Sequence, residues 1–456
     1  MTSIPILFLT YYFPPIGGSG VQRSLKFVRY LPQEGFQPIV VAGPVCGQER
    51  WEPEDASLLA ELPKDLVLYR PACSPPERNV SSTRLTRILG RSTPLFRWWR
   101  HQAWETGLRA AREHGVQLVF VTASPFEGIS AAVRIGRELE VPVIADLRDP
   151  WALDEVMAYP TSLHRWRQLR TMAHTLSGVD LIVMNTPEAE MVVREAFPTL
   201  AGQCRNITNG YDPADFEGIQ RTTDRDHFEI THTGYLYTDI GLDHSRRSWL
   251  KRVAGGEIVP VDLLARSSFF LLEALELLCR EQPELLDRLR LNLVGSPTDA
   301  DQARVERSSV RRLVHFKGYV THQDSIAALL NADLLFFPMH GLPRGIRARI
   351  VPAKLYEYLG SGRPILAAVP EGDARDFILA ASAGRVVEPS DVIGIARAIR
   401  AFLEEAPTPT RSERPEVTRF ARRVLTKSLA EYLRQALGWG QGQASGPGGP
   451  TRTTGG

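Results

Sequence analysis

The sequence predicts an α/β protein made of two doubly wound, Rossmann-like domains that face each other across a cleft. Short apolar runs, such as residues 5–10 and 38–43, alternate with segments of helical periodicity. Such continuous apolar runs are typical of a parallel sheet that helices cover on both faces. The alternation breaks at residues 206–216, which are rich in turn formers, and then resumes. A chain of 456 residues also exceeds one ordinary core.

We therefore expect a first domain over residues 1–210 and a second domain over residues 211–414. Residues 415–437 carry an apolar stripe at helical spacing, and we expect this helix to cross back to the first domain. Residues 238–264 are predicted to be an inserted loop, because they carry mixed charge and a Gly-Gly pair. The Gly-rich residues 438–456 are predicted to be disordered.

The composition is that of a globular protein, with 43% hydrophobic and 23% charged residues. The 54 Lys and Arg residues nearly balance the 52 Asp and Glu residues, which excludes a chain-wide binder of polyanions. No recognised nucleic-acid motif is present, so we expect no nucleic-acid partner.

Four cysteines without metal-ligand spacing indicate a reducing compartment and no structural zinc. The N-terminal apolar run is too short for a signal peptide or a membrane span, so we expect a cytoplasmic protein.

Residues 84–112 are basic and aromatic, with seven arginines, three tryptophans and a single acidic residue, Glu105. Basic residues interleaved with tryptophan suit the surface of an anionic membrane. The alternative is a solvated helix whose tryptophans pack inward. The segment therefore leaves open a peripheral contact with the inner face of the cell membrane.

The loop after the first predicted strand is rich in proline and glycine and leads straight into a helix. Gly17, Gly18 and Gly20 allow close backbone approach, and the free N–H groups at the helix start favour an anion. The loop lacks the Lys-Ser/Thr of a P-loop, and Arg23 stands where a dinucleotide-binding loop has its last glycine. It is either a phosphate-binding element with Arg23 behind it, or a tight connection that binds nothing.

Three charged residues, Asp146, Arg148 and Asp149, end another apolar strand. Charges are costly to bury unless they are paired, so one interpretation is a structural Asp–Arg pair. The other interpretation places Asp149 in the cleft, as a ligand or base for an acceptor hydroxyl.

A helix that opens after Pro352 presents Lys354 and Glu357 near its first turn. A carboxylate there accepts two hydrogen bonds from a ribose diol, and an ammonium group binds phosphate. The alternative is an ordinary surface pair at three-residue spacing.

Six segments of the sequence resemble GT-B-fold glycosyltransferases of the kind grouped in glycosyltransferase family 4, or glycosyl transferase group 1. They occur in the family's order, and the resemblance spans roughly residues 4–437 without the insert. The segment over residues 352–369 is the most specific of them. The segments are residues 11–42, 144–152, 209–212, 231–237, 316–320 and 352–369.

The resemblance implies transfer of a sugar from a nucleotide-sugar, held mainly by the second domain, to an acceptor held by the first. It implies that Glu357 is the second glutamate of a Glu-x7-Glu signature and holds the ribose. Arg266 stands where family members carry a basic residue for the donor diphosphate. Arg349 occupies the position of the first glutamate, so the usual contact to the donor sugar is missing or supplied otherwise. Where members often have a histidine, Glu127 is the only acidic residue nearby.

The resemblance further implies a retaining reaction that needs no metal and no cofactor, in which the departing phosphate oxygen takes the acceptor proton. The favoured donor is a UDP-sugar, and the acceptor is a glycan, a lipid-linked molecule or a small molecule. Two rivals stay open: a different enzyme on the same fold, either a sugar-nucleotide epimerase or a phosphorylase, and a non-catalytic binding or scaffold protein. Arg349 and the missing histidine favour the scaffold, whereas the intact glycine loop, Arg266, Lys354 and Glu357 weigh against it.

Overall fold

The structure, a computed structural model, describes residues 3–45, 53–71, 94–221, 227–256, 259–405 and 413–443. Within these ranges, no helix has both the length and the apolar character needed to cross a bilayer. Cys204 and Cys279 are buried free thiols. The other two cysteines, Cys46 and Cys73, lie outside the described residues.

The strands of both domains run parallel. They are β1 (Ile4–Thr10), β2 (Phe36–Ala42), β3 (Val67–Tyr69), β4 (Val119–Ala123), β5 (Val143–Leu147), β6 (Leu181–Met184), β7 (Cys204–Asn206), β8 (Phe228–Thr233), β9 (Leu289–Val294), β10 (Val314–Gly318), β11 (Leu334–Pro338), β12 (Ile365–Ala368) and β13 (Gly384–Val387). The first sheet has the order β3-β2-β1-β4-β5-β6-β7, and the second has the order β10-β9-β8-β11-β12-β13. The predicted fold class, two doubly wound α/β domains, is confirmed.

Helices connect the strands and cover both faces of each sheet. They are α1 (Ser19–Tyr30), α2 (Pro94–His114), α3 (Glu127–Leu139), α4 (Ser162–Leu176), α5 (Pro187–Ala196), α6 (Thr238–Val253), α7 (Phe269–Glu281), α8 (Leu285–Arg288), α9 (Asp299–Glu306), α10 (His322–Asn331), α11 (Lys354–Ser361), α12 (Asp373–Ala380), α13 (Val392–Glu404), α14 (Pro415–Thr418) and α15 (Arg422–Gln443). Short 3-10 turns complete the connections.

The alternation of side chains along β1 shows why its sequence is apolar throughout. Leu7 and Leu9 point into one core cluster of the first domain, and Ile6 and Phe8 point into the cluster on the opposite face. Because both faces are covered, every position needs an apolar side chain, and the strand reads as an unbroken run.

The terminal helix α15 packs on the first domain, although α14 belongs to the second. Its Leu425, Leu429 and Leu433 lie in the same core cluster as Phe27 of α1. At the crossing, the N–H of Tyr211 donates to the carbonyl oxygen of Phe420 at 3.1 Å. The two chain crossings between the domains therefore lie side by side.

Two predicted irregular segments contain helix instead. Residues 238–264, predicted to be an inserted loop, hold α6. Its Gly241 is required by packing, because a Cβ there would lie 2.5 Å from the Cα of Leu264. At the other end of the chain, α15 continues to Gln443, past the predicted end at residue 437. Residues 444–456 of the predicted disordered tail lie outside the described residues.

The basic segment over residues 84–112 is described from residue 94 onward, where α2 begins. Trp99 is 1% exposed and packs edge-on against Tyr11, with ring centroids 5.3 Å apart. The Trp104 indole N–H donates to Glu138 at 3.0 Å, and the guanidinium of Arg134 lies 3.4 Å from its ring centroid. These two tryptophans are therefore held by their own domain, which favours the alternative of a helix with inward tryptophans.

Candidate functional site

A cavity of about 330 Å³ lies between the domains, at the carboxyl ends of the strands. The first domain contributes its glycine loop and a segment after β2, and the second contributes the loops after β8, β9 and β10 and the start of α11. The lining includes Gly18, Gly20, Asp55, Leu58, Gly234, Tyr237, Arg266, Tyr319, His322, Lys354 and Glu357, together with Arg422 from α15. Five of the predicted donor-binding residues, Gly18, Gly20, Arg266, Lys354 and Glu357, thus line one cavity.

The position of the cavity follows from the strand order. Strand order reverses between β1 and β4 in the first sheet and between β8 and β11 in the second. Loops diverge at such a switch point and leave a crevice for a ligand. The glycine loop follows β1, and Gly234 follows β8, so the two crevices face each other.

Lys354 begins α11 and is half-buried against β8. Its Nζ lies 3.2 Å from Nε2 of His232, whose Nδ1 bonds the carbonyl oxygen of Phe336 at 3.0 Å. Burial holds the pKa of His232 well below 6.5, so the neutral ring donates from Nδ1 and accepts from the lysine. Gly234 makes room for this lysine, since a Cβ there would lie 2.9 Å from Nζ. Burial, and then the charge of Arg266, lower the pKa of Lys354 to about 7.

Arg266 is the second cation of the cavity. Its guanidinium lies 4.3 Å from the ring centroid of Tyr237, and its carbonyl oxygen accepts a hydrogen bond from the Tyr237 N–H at 3.1 Å. Among the described residues, neither Arg266 nor Lys354 forms a salt bridge with a carboxylate. The floor of the cavity therefore holds two basic side chains that no carboxylate of the described ranges pairs with.

Glu357 lies one turn beyond Lys354 and is held by a histidine that the sequence analysis did not identify. Its Oε1 lies 3.2 Å from Nε2 of His322, whose Nδ1 is 4.0 Å from Asp215. Burial lowers the pKa of His322, but the hydrogen bond and charge of Glu357 and the charge of Asp215 outweigh it and raise the pKa above 6.5. The only local signal was Thr321, which caps α10 and places His322 at the helix start.

An ion network from the first domain adjoins this histidine. Lys26 is 1% exposed, and its Nζ lies 2.6 Å from Glu61, 2.6 Å from Asp215 and 3.0 Å from Asp212. Glu61, Asp215 and His322 offer ligand atoms within 4.8 Å of one another, a spacing that also suits a metal ion. The Lys26 ammonium group already supplies positive charge to the two carboxylates.

Arg422, from the terminal helix, is a further cation that the sequence analysis missed. It is 2% exposed and lines the cavity, and its Nη1 has no hydrogen-bond partner within the described part of the chain. Burial and the charge of Arg23 lower the pKa of Arg422 to about 10. The crossing of α15 thus brings a charged side chain to the cavity.

The glycine loop packs against the second domain. The N–H of Gly17 donates to the carbonyl oxygen of Pro53 at 2.6 Å, and a Cβ at Gly17 would lie 2.7 Å from Oη of Tyr319. Gly17 itself is not part of the lining. At Gly20, a Cβ would lie 3.0 Å from Nη2 of Arg148. The two glycines thus allow close contacts on both sides of the loop.

The prediction that Arg23 stands behind the loop as a phosphate ligand is wrong. Its guanidinium donates to both carboxylate oxygens of Asp146, at 2.9 and 2.6 Å, and to the carbonyl oxygens of Ile207 and Thr208. Arg23 is 1% exposed and Asp146 is 0% exposed. The structural pair expected at this strand end therefore exists, but Arg23 and not Arg148 is its cation.

The two predicted catalytic residues are not among the described residues that line the cavity. Glu127 is the first residue of α3. Burial raises the pKa of Asp149, while the charges of Arg148 and Arg266 oppose this rise. Asp149 thus lies within electrostatic reach of Arg266 across the cleft. Burial, then Asp149, raise the pKa of Asp154 to about 8, so two carboxyl groups of the first domain share this edge.

Arg349, which the resemblance places at the family's first-glutamate position, joins the domains. Its Nη1 donates to the carbonyl oxygen of Leu153 at 2.6 Å, and its N–H donates to Glu155 at 2.9 Å. Its own carbonyl oxygen accepts from the Thr186 hydroxyl at 2.8 Å. Nε2 of His340 lies 3.2 Å from the same Glu155, and both side chains are buried. Arg349 therefore neither points to solvent nor lines the cavity.

One Asp-x-Asp sequence lies within the described residues, at Asp299 and Asp301. Asp301 accepts hydrogen bonds from Thr298 as part of a capping box and from the Thr238 hydroxyl. This aspartate is therefore engaged in holding α9 and α6 together. A second such sequence, at residues 224–226, lies outside the described residues.

Residues 263–405 match the family model described as glycosyl transferases group 1. The matched segment contains Arg266, Lys354 and Glu357. No curated protein matches the sequence.

Solved structures share the fold over nearly the whole chain. A glycosyltransferase from Rickettsia africae has a TM-score of 0.63 at 12% identity, covering 96% of this chain and 99% of that chain. An Anabaena protein crystallised with UDP and glucose has a TM-score of 0.59 at 15% identity, covering 95% and 100%. A putative UDP-N-acetylglucosamine 2-epimerase from Listeria monocytogenes has a TM-score of 0.55 at 11% identity, covering 97% of each chain.

At these identities the likeness establishes the fold alone, and enzymes of two classes share it. The family model matches most of the second domain, which contains the two cations of the cavity floor. The resemblance to GT-B-fold glycosyltransferases is thus confirmed, and the second domain of the chain carries the match to glycosyl transferases group 1.

Proposed function

We propose that the protein is a glycosyltransferase that moves a sugar from a nucleotide-sugar to an acceptor. The observation that carries this proposal is the pair of cations, Lys354 and Arg266, in a cavity where neither forms a salt bridge within the described residues. These two half-buried cations repel each other, and the charge of Arg266 adds to burial, the larger cause, in lowering the pKa of Lys354. A diphosphate placed between them would remove the repulsion.

These cations suit the chemistry of the leaving group. In the proposed reaction, the bond from the sugar anomeric carbon to the β-phosphate oxygen breaks, and a bond from that carbon to the acceptor oxygen forms. Lys354 and Arg266 stabilise the negative charge that develops on the departing diphosphate. The acceptor proton passes to the departing phosphate oxygen. This retaining course without a metal rests on the family resemblance.

We assign the ribose to Glu357. Its carboxylate lines the cavity one helical turn from Lys354, so it is the acidic group next to the proposed diphosphate site. His322 bonds one carboxylate oxygen and leaves the other for the sugar hydroxyls. A UDP-sugar is the favoured donor, in line with the UDP of the Anabaena structure.

We place the acceptor on the first domain, beside Asp149. This carboxyl group lies within electrostatic reach of Arg266, and burial raises its pKa. It is proposed to hold the acceptor hydroxyl by a hydrogen bond, while the proton itself passes to the departing phosphate oxygen. A glycan, a lipid-linked molecule or a small molecule is the proposed acceptor class. Glu127 stays a candidate on sequence grounds alone.

Calorimetric titration with UDP tests the donor site. We expect wild-type protein to bind UDP, and Glu357→Gln and Lys354→Met each to weaken binding at least about tenfold, as for the loss of a charged hydrogen bond. Glu431→Gln and Lys427→Met, at exposed positions of α15, serve as matched controls. Equal affinity in all five proteins, or no binding of UDP, GDP, dTDP, ADP or CDP, would refute the donor site.

An epimerase is the second candidate, because Asp149 and the adjacent Asp154 with its pKa of about 8 offer paired acid and base groups at the cleft. The two activities differ in their need for an acceptor. Conversion of UDP-N-acetylglucosamine to its 2-epimer without acceptor would favour the epimerase. Binding of UDP with neither conversion nor transfer would favour the non-catalytic scaffold.

A further inference from the structure

The solvent face of α4 combines large apolar side chains with positive charge. Leu163 is 52% exposed and Trp166 is 51% exposed. Arg167, Arg170 and His174 are exposed on the same helix. At about 100° per residue, these five positions fall within an arc of about 100°, so they form one continuous stripe. We call this stripe the α4 face.

The opposite side of the helix accounts for its attachment to the domain. Met172 and Leu176 are buried in the core of the first domain. The apolar residues of the α4 face are therefore not needed to hold the helix, and they add exposed apolar surface to a helix that is already anchored.

The charge of α4 is of one sign. Its fifteen residues, Ser162–Leu176, include three arginines and no aspartate or glutamate. The guanidinium of Arg170 lies 5.0 Å from the ring centroid of Trp166. The cation and the aromatic ring thus lie side by side. A partner surface that is both apolar and anionic could contact the two groups together.

The apolar part of the face continues onto the second domain. The N–H of Ser162 donates to the carbonyl oxygen of Ala254 at 3.1 Å, next to the end of α6. Leu163 and Val253 are each one residue from this hydrogen bond, and Val253 is 83% exposed. Met157, just before α4, is 46% exposed. The patch therefore spans the junction of the two domains.

From these observations, we propose that the α4 face is a docking surface for an anionic lipid bilayer. Tryptophan and leucine enter the region between headgroups and acyl chains, while arginines pair with anionic headgroups. A nucleic acid would use the arginines but would leave Leu163, Met157 and Val253 in water. The bilayer is the partner that satisfies both parts of the patch.

This surface differs from the one that the sequence analysis considered. Of the tryptophans on α2, Trp99 is buried, whereas Trp166 on α4 is half exposed. The α4 face also lies near the acceptor side of the cleft, since the N–H of Met157 donates to the carbonyl oxygen of Asp154 at 3.1 Å. Delivery of a lipid-linked acceptor through this face rests on the proposed function, but the docking itself does not.

Co-sedimentation of the full chain with lipid vesicles tests the proposal. Vesicles of phosphatidylcholine alone are compared with vesicles that also contain phosphatidylglycerol. We expect sedimentation only with phosphatidylglycerol and a loss of binding at high salt. Two arginines near an anionic surface imply roughly tenfold to thirtyfold weaker binding for Arg167→Gln/Arg170→Gln.

A second pair of variants separates the α4 face from the alternatives. Leu163→Ser/Trp166→Ser removes the apolar part, and we expect it to lose binding at least tenfold on the same scale. Arg100→Gln/Arg109→Gln, at exposed positions of α2, is the matched control and should bind like wild type. UDP titration confirms that each variant is folded and keeps failure of docking distinct from failure of the donor site.

Three results would overturn the proposal: no sedimentation with any vesicle, equal sedimentation with neutral vesicles, or a larger loss in the α2 control than in the α4 variants. A shift of the wild-type protein to a dimer that the Leu163→Ser/Trp166→Ser variant abolishes, without vesicle binding, would assign the face to a second copy instead.

Discussion

Lys354 should make the binding of UDP depend on pH in a way that follows from its surroundings. The difference between its usual pKa of 10.5 and the value of about 7 corresponds to about 5 kcal/mol against the charged form. Burial is the first cause and Arg266 the second. Of its other neighbours, His232 is neutral, and Glu357 acts in the opposite direction. A bound diphosphate restores the usual pKa by pairing with the ammonium group.

The sign of the effect follows from proton counts. Below about pH 7, Lys354 is charged with or without UDP, so the affinity does not change with its titration. Above about pH 7, the free protein has lost this proton and the complex keeps it, so binding takes up about one proton. The affinity then falls roughly tenfold for each pH unit until the pKa of the complex is reached. The phosphate of UDP titrates near pH 6 and stays outside this range.

Calorimetry in two buffers of different ionisation enthalpy measures the proton uptake directly. We expect about one proton in wild-type protein at about pH 8, and none in Lys354→Arg, whose guanidinium is always charged. Lys354→Met should bind weakly and without proton uptake. If wild-type and Lys354→Arg proteins took up the same number of protons, His322 or another group would be the source, and the assignment of Lys354 to the diphosphate would fail.

Three further predictions concern the domain junction. Gly210→Ala should lower the free energy of unfolding, measured by urea titration, by at least about 1–3 kcal/mol, because its Cβ would lie 2.1 Å from the carbonyl oxygen of Phe420. Unchanged stability would contradict this packing. Arg23→Met should lower the free energy of unfolding by about 3–5 kcal/mol, because it leaves Asp146 buried without its partner. The double variant Arg23→Met/Asp146→Leu should recover stability and still bind UDP. A double variant that folds but no longer binds UDP would return Arg23 to the phosphate site. Arg349→Glu introduces the glutamate that the resemblance implies at this position. We nevertheless expect weaker binding of UDP-glucose in calorimetry, because the arginine donates a hydrogen bond to a backbone carbonyl of the first domain. Tighter binding would show that the position reaches the donor sugar.

The fold could be predicted because its signals are local. Strands covered on both faces need apolar residues at every position, and helices between them need periodic ones. The candidate site followed in part from the same topology, since loops after β1 and β8 must meet at the carboxyl edges of the sheets. Gly18 and Gly20 reach the cavity for this reason. Lys354 and Glu357 were proposed from the start of a helix and from the family resemblance, and Arg266 from the resemblance; all three line the cavity, while their roles in binding stay predictions.

The rest depends on contacts between distant positions. Arg23 and Asp146 are 123 residues apart, and no periodicity indicates that they pair. Arg422 comes to the cavity only because α15 returns from the second domain. For the same reason Arg349 could not be assigned, since its partner in the first domain is 196 residues away. Residues 238–264 were predicted to be a loop from their mixed charge and their Gly-Gly pair, but the first part of the segment, Thr238–Val253, is helical and packs against the backbone at Leu264.

The return of α15 also bears on how the chain acquires its shape during synthesis. The face of the first domain that holds Phe27 and Val28 is covered by Leu425, Leu429 and Leu433, which are synthesised only after all the strands of the second domain. Until then the nascent first domain exposes that apolar face and is prone to aggregate or to recruit chaperones. The amino-terminal half produced alone should therefore be insoluble, and a separate peptide over residues 413–443 should rescue it when supplied in trans.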